Sequence, residues 1–268
     1  MEASAEKPVD VVAGNLHIRL AETTEEIKAS QRLRYSVFCQ EMAATATLQQ
    51  RLEQREYDSF DSYCDHLLVF DRSKREAAAV VGTYRLMRRE QALRRGQFYT
   101  KDEYDITSLL CYPGELLELG RSCVAANYRT GSTMQLLWRG IAEYVFFYNV
   151  DIMFGCASLP STDPQQMQDR LSYLYHYHLA PPALRPSALP ERFVDMNLAP
   201  ADSINVKLTR RQLPPLIRGY LHLGGFVGEG AVIDHDFGTT DVAVVVKTDW
   251  VTQKYLRHYR AASDGGQA

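Results

Sequence analysis

The stretch ELLELGRSCV, residues 115–124, reads as a β-strand in the middle of a sheet, and the clearest helix of the chain follows it. The strand carries Glu118 and Arg121, which is unusual, because a charged side chain inside a sheet is costly unless it is paired or serves a site. From Ser132 to Tyr148 apolar residues recur with a period of about 3.6, as in an amphipathic helix. The stretch therefore predicts a strand with functional side chains, followed by a long helix.

Elements on both sides of this stretch predict an α/β fold, with a mixed central sheet flanked by helices. Strands are expected at 16–21, 66–70, 78–86, 151–157 and 240–247, and further helices from Thr24 onward and at 164–178, 214–223 and 250–259. The second, third and fourth strands follow one another without helices between them. This order excludes a doubly wound sheet.

Length and composition predict one cytoplasmic domain. The chain has 268 residues, within single-domain range, and is 46% hydrophobic and 24% charged. We expect a single domain over residues 15–260, a disordered lead at 1–14 and a disordered tail at 261–268. No apolar run reaches the roughly 18 to 20 residues of a membrane-spanning helix, and the first residues lack the apolar core of a secretion signal.

Charge and cysteine usage exclude several function classes. The net charge of -3 argues against a general nucleic-acid binder. The five cysteines are scattered, without C-x-x-C spacing, which argues against a structural metal or a disulfide framework. Basic residues nevertheless form two local clusters that would attract an acidic partner. The clusters are Arg85, Arg88, Arg89, Arg94 and Arg95, and Lys207, Arg210 and Arg211.

The central strand has the residues that acyl transfer needs. Glu118 and Arg121 lie three apart, so a regular strand would point them to opposite faces. Gly120 is a candidate for a β-bulge, which would bring both to one face and leave backbone N–H groups unpaired. A carboxylate that accepts a proton, beside N–H groups that polarise a carbonyl, suits acyl transfer. An exposed Glu–Arg bridge is the structural alternative.

The turn NYRTGST, residues 127–133, leads into the long helix and is a candidate anion site. Backbone N–H groups at a helix N-terminus bind phosphate. Gly131 and Ser132 begin this helix, and Arg129 would add positive charge. Glycine turns also open many helices that bind nothing, so the pattern alone has low specificity.

The stretch YDSFDSYCDH, residues 57–66, places Asp58 and Asp61 before a strand. It lacks the glycine and the closing glutamate of a calcium loop, so an acidic wall for a cationic substrate is the better interpretation, with a solvated acidic loop as the alternative. His66 and Asp71 spell H-x-x-x-x-D, but a separation of five in a strand directs them to opposite faces. A direct His–Asp relay is therefore not expected, and His66 alone remains a candidate site residue.

With these segments the sequence resembles the ornithine acyl-carrier-protein N-acyltransferases, which belong to the acetyltransferase (GNAT) superfamily. It is more distantly similar to acyl-homoserine-lactone synthases. The resemblance covers most of residues 16–250. Its segments are LRYSVFCQEM (33–42), FDSYCDHLLV (60–69), VVGTYRL (80–86), LELGRSCV (117–124), LLWRGIAEY (136–144), FGCASLPSTDP (154–164), PPLIRGYLHLGG (214–225) and DFGTTDVAVVV (236–246).

The resemblance implies transfer of a 3-hydroxyacyl group from acyl carrier protein to the α-amine of L-ornithine. No metal or other cofactor is implied, and the 4'-phosphopantetheine of the carrier arrives as part of the co-substrate. Glu118 would accept the amine proton, N–H groups near Gly120 would hold the oxyanion, and Arg121 would orient Glu118 or the substrate carboxylate. The implied substrate contacts are Arg34, Phe38, Asp58, Asp61, His66 and Arg85. The implied contacts with the carrier or its phosphopantetheine are Arg88, Arg89, Arg129, Gly131 and Ser132.

Other functions remain open at this point. Two alternatives belong to the same reaction class. In one the acceptor amine is glycine, and in the other it is S-adenosylmethionine, as in homoserine-lactone synthesis. A haemolysin-like, membrane-active protein is the alternative from another class, against which the missing signal peptide and the lack of a long amphipathic helix argue. Because the acylated product is lipid-like, a peripheral membrane contact through the basic, aromatic tail after Trp250 is also expected.

Overall fold

A computed structural model describes residues 7–75 and 79–251. Its strands are β1 (Asp10–Ala13), β2 (Leu16–Leu20), β3 (Asp65–Asp71), β4 (Val80–Arg88), β5 (Tyr104–Asp105), β6 (Glu115–Val124), β7 (Val150–Leu159), β8 (Ser187–Ala188), β9 (Phe226–Val227), β10 (Val232–Asp234) and β11 (Thr239–Lys247). Its α-helices are α1 (Thr24–Arg34), α2 (Leu48–Glu53), α3 (Arg89–Arg95), α4 (Thr107–Leu110), α5 (Gly131–Phe147), α6 (Gln168–His178), α7 (Val206–Gln212) and α8 (Pro215–His222). A π-helix, Tyr35–Glu41, continues α1, and a 3-10 helix spans Tyr99–Asp102. The prediction of an α/β fold is confirmed.

The described residues fall into two compact units. The first comprises Met1–Arg95 and Leu119–Val150, and the second comprises Gly96–Glu118 and Asp151–Ala268. Strand β6 therefore gives its first four residues to the second unit and the rest to the first. The prediction of a single domain over 15–260 stays a prediction.

In the first unit the strand order is β1-β2-β3-β4-β6, and β1 to β4 pair antiparallel. Strand β3 is buried at Leu67, Leu68 and Val69, each 0% exposed, because both of its faces are covered. Helix α5 lies close to the sheet at Gly140, where a Cβ would be only 2.5 Å from Ile18 Cδ1. A side chain at position 140 would fit only if the end of the Ile18 side chain moved away.

Helix starts in this unit follow from their capping residues. Thr23 accepts a hydrogen bond from the Glu26 N–H and caps α1, with Glu25 and Glu26 in the positive first turn. Thr47 and Gln50 form a reciprocal capping box at α2. Thr130 caps α5 by accepting from Thr133 N. These polar residues fix where each helix begins.

In the second unit the order is β6-β7-β11-β10, with β9 also paired to β11 and a separate β5–β8 pair. Strand β11 pairs antiparallel with β7 from Thr240↔Leu159 to Lys247↔Ile152. Every residue of β11 except Lys247 is buried, as its apolar sequence requires. Helices α6 and α8 bury Leu171, Leu174 and Ile217 in the core of this unit.

The structure corrects one sequence prediction and adds two helices, α3 and α7, that the sequence did not predict. Residues 10–13 were expected in the disordered lead but form β1, paired with β2. The polar segment after β4 contains α3 and buries Phe98 and Tyr104. Helix α7, which carries the basic Lys207, Arg210 and Arg211, was not predicted because its sequence has no clear apolar stripe.

The remaining predictions about the termini lie outside the described residues. These are the first six residues of the lead, the tail at 261–268 and all of the helical tail beyond Val251, with its proposed membrane contact. Across the residues that are described, no helix is long and apolar enough to cross a bilayer.

The close approach of α5 to the sheet predicts the cost of a larger residue at position 140. Gly140→Val should lower the free energy of unfolding by about 1 to 3 kcal/mol, because Ile18 and Leu67 would have to move. Urea denaturation measures this change. The control is Gly131→Ala, whose Cβ would meet nothing within 4 Å and should leave stability unchanged or raise it by up to about 1 kcal/mol. Equal effects of the two changes would contradict the packing argument.

Candidate functional site

A network of buried ion pairs occupies the first unit. Arg34 at the end of α1 is 0% exposed, and its Nε donates to Glu56 Oε2 at 2.5 Å. Its Nη1 donates to Asp61 Oδ1 at 2.8 Å. The other oxygen of Asp61 accepts from Gln31 Nε2 at 2.9 Å. A buried guanidinium thus lies between two carboxylates, which compensate its desolvation.

Two further arginines complete the charge network. Arg85 on β4 donates from Nη1 to Asp58 Oδ1 at 2.6 Å and to Asp61 Oδ1 at 2.8 Å. Arg121 on β6 donates to Glu56 at 3.2 Å and to Asp58 at 3.1 Å. The charge network therefore matches three carboxylates with three guanidinium groups: Glu56, Asp58 and Asp61 with Arg34, Arg85 and Arg121.

Proton affinities in the charge network follow from burial and pairing. Burial alone would raise the pKa of Asp61, but Arg34 and Arg85 outweigh it and hold that pKa below its usual range. Burial would also raise the pKa of Asp58, but Arg85 and Arg121 outweigh it and lower that pKa. Both carboxylates are ionised at neutral pH and already paired with arginines. The acidic wall predicted from the sequence is therefore electrically neutralised, which the sequence prediction did not include.

In β6 the residue with a left-handed backbone conformation is Arg121, the neighbour of the predicted bulge residue Gly120. Arg121 has φ +50°, in the left-handed region, whereas Gly120 is not among the positive-φ residues. A non-glycine residue costs about 1 to 3 kcal/mol in such a conformation, and the ion pairs of Arg121 with Glu56 and Asp58 offset that cost. This left-handed residue directly follows Gly120, and the bulge expected at Gly120 stays a prediction.

Glu118 lies in the second unit and is 5% exposed. Its Oε2 accepts from Tyr99 N at 2.8 Å, and its Oε1 accepts from Thr100 N at 2.6 Å. These N–H groups belong to the first turn of the 3-10 helix Tyr99–Asp102, so they have no partner within that helix. The two bonds stabilise a charged carboxylate and fix its orientation.

His66 and Asp71, at opposite ends of β3, have separate partners. His66 is 2% exposed, its Nε2 lies 2.9 Å from the Asp61 carbonyl oxygen, and burial lowers its pKa. Asp71 accepts from Tyr128 Oη at 2.5 Å, and hydrogen bonds from Tyr128 and Ser73 lower its pKa to about 2. These separate partners agree with the expectation that the pair does not act as a relay.

The residues predicted to contact the carrier or the acyl group have varied surroundings. Arg88 donates to Tyr144 Oη at 3.0 Å and lies over the Tyr148 ring at 3.9 Å. Arg129 donates from Nε to the Val124 carbonyl oxygen at 2.9 Å. Phe38 is buried in the π-helix, whereas Gly131 and Ser132 are exposed at the start of α5 and Arg89 is half-buried at the start of α3.

Comparison with known proteins decides the family. An L-ornithine N(alpha)-acyltransferase of Brucella abortus (strain 2308) is 44% identical over 255 residues, covering 94% of this chain and 91% of the relative. Another, from Agrobacterium fabrum (strain C58 / ATCC 33970), is 42% identical over 259 residues, covering 95% and 87%. The chain belongs to the L-ornithine N(alpha)-acyltransferase family.

The fold prediction is confirmed as well. The acetyltransferase (GNAT) domain family matches residues 33–139 of this family member. The solved structure of FeeM, an N-acyl amino acid synthase from uncultured soil microbes, superposes with a TM-score of 0.53. It is 10% identical and covers 90% of this chain and 97% of that one, so the likeness concerns the fold alone.

Sequence reasoning missed two charged residues of this L-ornithine N(alpha)-acyltransferase family member. Glu56 binds both Arg34 and Arg121 but lies in a polar stretch without a motif. Glu103 is buried next to two aspartates, Asp234 and Asp241, with one ligand oxygen of each carboxylate within 4.8 Å of the others. Among the described residues this acidic triad is the group that comes close enough to hold a cation. The expectation that no metal is needed stays a prediction.

The charge network predicts that Arg34 is critical for stability. Arg34→Met should lower the free energy of unfolding by about 3 to 5 kcal/mol, because Glu56 and Asp61 would remain buried without their main counter-charge. Denaturant titration at neutral pH measures it. The control, Arg129→Met, breaks a pair with Glu41 whose side chains are 46% and 36% exposed, and should cost less than about 1 kcal/mol. A loss at Arg34 no larger than at Arg129 would contradict a stabilising role of the buried charge network.

Proposed function

We propose that the chain transfers a 3-hydroxyacyl group from acyl carrier protein to the α-amine of L-ornithine. The observation that carries this proposal is the 42–44% identity, over nearly the whole chain, to four proteins named L-ornithine N(alpha)-acyltransferase. Such a product is a lyso-ornithine lipid, the first intermediate of ornithine lipid synthesis.

The reaction requires a base. The α-ammonium loses a proton, its nitrogen attacks the thioester carbon, the C–N bond forms and the C–S bond breaks. The nitrogen loses a second proton as the amide forms and the leaving thiolate takes up one proton, so one proton is released per turnover at neutral pH. The enzyme must therefore accept a proton from the amine and stabilise the oxyanion of the tetrahedral intermediate.

Glu118 is our candidate for the proton acceptor. Each of its oxygens accepts one backbone N–H, from Tyr99 or Thr100. In this proposal a carboxylate oxygen of Glu118 takes the proton of the amine, directly or through a bridging water. Burial and the two fixed hydrogen bonds hold the carboxylate in one position, which is what positioning for proton transfer requires.

The roles of Gly120 and Arg121 remain predictions. Arg121 was expected to orient Glu118 or the substrate carboxylate, and its guanidinium is bonded to Glu56 and Asp58. The oxyanion donors were expected in the backbone near Gly120, where the neighbouring Arg121 departs from extended geometry. A displaced N–H group in that part of β6 is the candidate donor.

Basic residues around α3 support acyl carrier protein as the donor. Arg94 is exposed and Arg89 half-buried on this short helix, and Arg95 lies over the Phe60 ring at 4.4 Å. A positive surface of this kind attracts an acidic partner and speeds its association. The N-terminus of α5 at Gly131, with Ser132, is the candidate contact for a single phosphate of phosphopantetheine.

The first test is an acyl-transfer assay by mass spectrometry with 3-hydroxyacyl carrier protein and ornithine, lysine, glycine or S-adenosylmethionine as acceptors. We expect acylation of ornithine at the α-amine. Glu118→Gln should lower kcat/KM about 100-fold or more, the usual contribution of a positioned base. Transfer to a different acceptor, or none, would contradict the proposed substrate.

Two measurements separate a base from a positioning residue at Glu118. In the Glu118→Gln variant the log of kcat/KM should keep rising with pH, because hydroxide then replaces the lost base. An unchanged pH profile with lower activity would mean that Glu118 only holds Tyr99 and Thr100 in place. Thermal unfolding of the variant, compared with the exposed control Glu90→Gln, shows whether folding explains the loss.

The carrier proposal predicts a salt-sensitive effect of charge reversal on α3. Changing Arg89 and Arg94 together to glutamate should raise KM for acyl carrier protein about tenfold and leave KM for an acyl-pantetheine donor unchanged. The difference should shrink at about 0.5 M salt. Lys28→Glu on α1, with a side chain 39% exposed, is the matched control. Equal effects on both donors would contradict a carrier contact at α3.

A further inference from the structure

The acidic triad of Glu103, Asp234 and Asp241 lies wholly in the second unit. One oxygen from each carboxylate lies within 4.8 Å of one from each of the others. Glu103 is 3% exposed and Asp241 is 7% exposed, whereas Asp234 is half-buried. Three carboxylates are thus held together largely away from water, with Asp234 at the more accessible side.

The surrounding structure brings the triad together. Tyr104, next to Glu103, is 0% exposed and donates its hydroxyl to the backbone oxygen of Asp241 at 2.9 Å. The Glu103 carbonyl oxygen accepts from Leu189 N at 2.9 Å. Asp234 ends β10 and Asp241 lies on the adjacent strand β11, opposite Val232. Residues two apart share a face of a strand, so Asp234 and Val232 point to the same side.

In the charge network, paired arginines compensate the buried carboxylates for their lost hydration, but Glu103 has no such arginine pair among the described residues. Its Oε2 is buried and has no hydrogen-bond partner among the described residues. Burial, Asp241 and Asp234 raise the pKa of Glu103 to about 7, and the Cys156 thiol and Arg192 only partly oppose this. A buried carboxyl group that has an unpartnered oxygen and two further carboxylates beside it is stabilised by a bound cation.

The segment 100–103 links the triad to the candidate base Glu118: its first residue is hydrogen-bonded to Glu118, and its last is Glu103. Glu118 Oε1 accepts from Thr100 N at 2.6 Å, and Glu103 N donates to the Thr100 carbonyl oxygen at 3.1 Å. The Thr100 hydroxyl also lies 3.8 Å from Cys156 Sγ, next to Glu103. One short segment therefore carries both the proposed proton acceptor and a member of the triad.

We propose that the triad binds the side-chain ammonium of the acceptor amino acid. An ammonium has three N–H donors, and the triad offers one oxygen from each of three carboxylates. Two of the carboxylates also accept hydrogen bonds from neighbouring residues: Asp241 Oδ1 from the Thr239 hydroxyl, and Asp234 Oδ1 from Asp236 N and Phe237 N. Six to eight oxygen ligands, as Ca²⁺ prefers, are a poorer match.

This inference rests on the proposed function and explains its selectivity. A diamine acceptor presents two amines to one acyl thioester, and either could be acylated once it has lost its proton. The amine held by three carboxylates keeps its proton and cannot act as a nucleophile. The triad thereby directs acylation to the α-amine and rejects acceptors that lack a side-chain cation.

The test compares L-ornithine with L-norvaline, the same amino acid without the side-chain ammonium. Asp241→Asn and Glu103→Gln should each lower kcat/KM for ornithine about 10- to 100-fold, as expected for a lost hydrogen bond to a charged group. The value for norvaline should change less than about threefold. Asp236→Asn, an exposed carboxylate two residues from Asp234, is the matched control and should change neither value.

The pH dependence gives a second readout. The α-amine titrates alike in both substrates, so its effect cancels in the ratio of the two kcat/KM values. In the wild type the ornithine-to-norvaline ratio should rise as pH passes about 7, because Glu103 then loses its proton and becomes charged. The groups around this charge are Asp241, Asp234, Cys156 and Arg192. In Glu103→Gln the ratio should be flat.

The outcomes separate this inference from the proposed function. Acylation of ornithine by the wild type, with an unchanged ornithine-to-norvaline ratio in both triad variants, overturns the triad's role alone. Stabilisation of the wild type against heat by Ca²⁺ or Mg²⁺ without any amine, abolished in Asp241→Asn, overturns it in favour of a metal site. Calorimetric binding of ornithine that is lost in Asp241→Asn supports the triad even if no acyl transfer to ornithine occurs, which would refute only the proposed function.

Discussion

The first unit depends on the neutralisation of one fully buried guanidinium. Burying a charged group costs several kcal/mol unless close partners replace its hydration. Arg34 finds those partners 22 and 27 residues away, at Glu56 and Asp61. None of the three can be buried without the others, so α1 packs against the segment after α2, and Arg85 on β4 and Arg121 on β6 bond to the same carboxylates. The charge network thus specifies how this unit assembles.

The equal numbers of positive and negative groups in the charge network also limit what it can bind. Asp58 and Asp61 attract no further cation strongly, because the three carboxylates of the network, Glu56 included, are already matched by three arginines. The acidic triad of the second unit is different, since the buried Oε2 of Glu103 has no partner among the described residues. The same residue types therefore serve assembly in one unit and are available for recognition in the other.

Much of the fold follows from sequence periodicity, and less of the site does. Strand β11 and helix α5 were predictable because their apolar patterns are long. Strand β1 has four residues and α3 is rich in arginine, so neither has enough apolar pattern to be recognised. The pairing of Arg34 with Glu56 depends on the path of the chain, which no local pattern encodes. Asp241 had a usable signal, an acid inside an apolar strand, which is the same signal that marked Glu118.

The backbone links Glu118, the proposed base, to the acidic triad proposed to bind the side-chain ammonium. Its carboxylate is bonded to Tyr99 N and Thr100 N, so the start of the segment 99–103 is fixed with respect to the proposed base. The end of that segment is fixed by the Tyr104 hydroxyl on Asp241, which sets Glu103 beside the aspartates. A rotation of either side chain would break backbone hydrogen bonds in a buried region, which costs about 1 to 3 kcal/mol for each unsatisfied group. The positions of the proposed proton acceptor and of the acidic triad are therefore tied to the same main-chain segment, so the two parts of the proposed site cannot move independently.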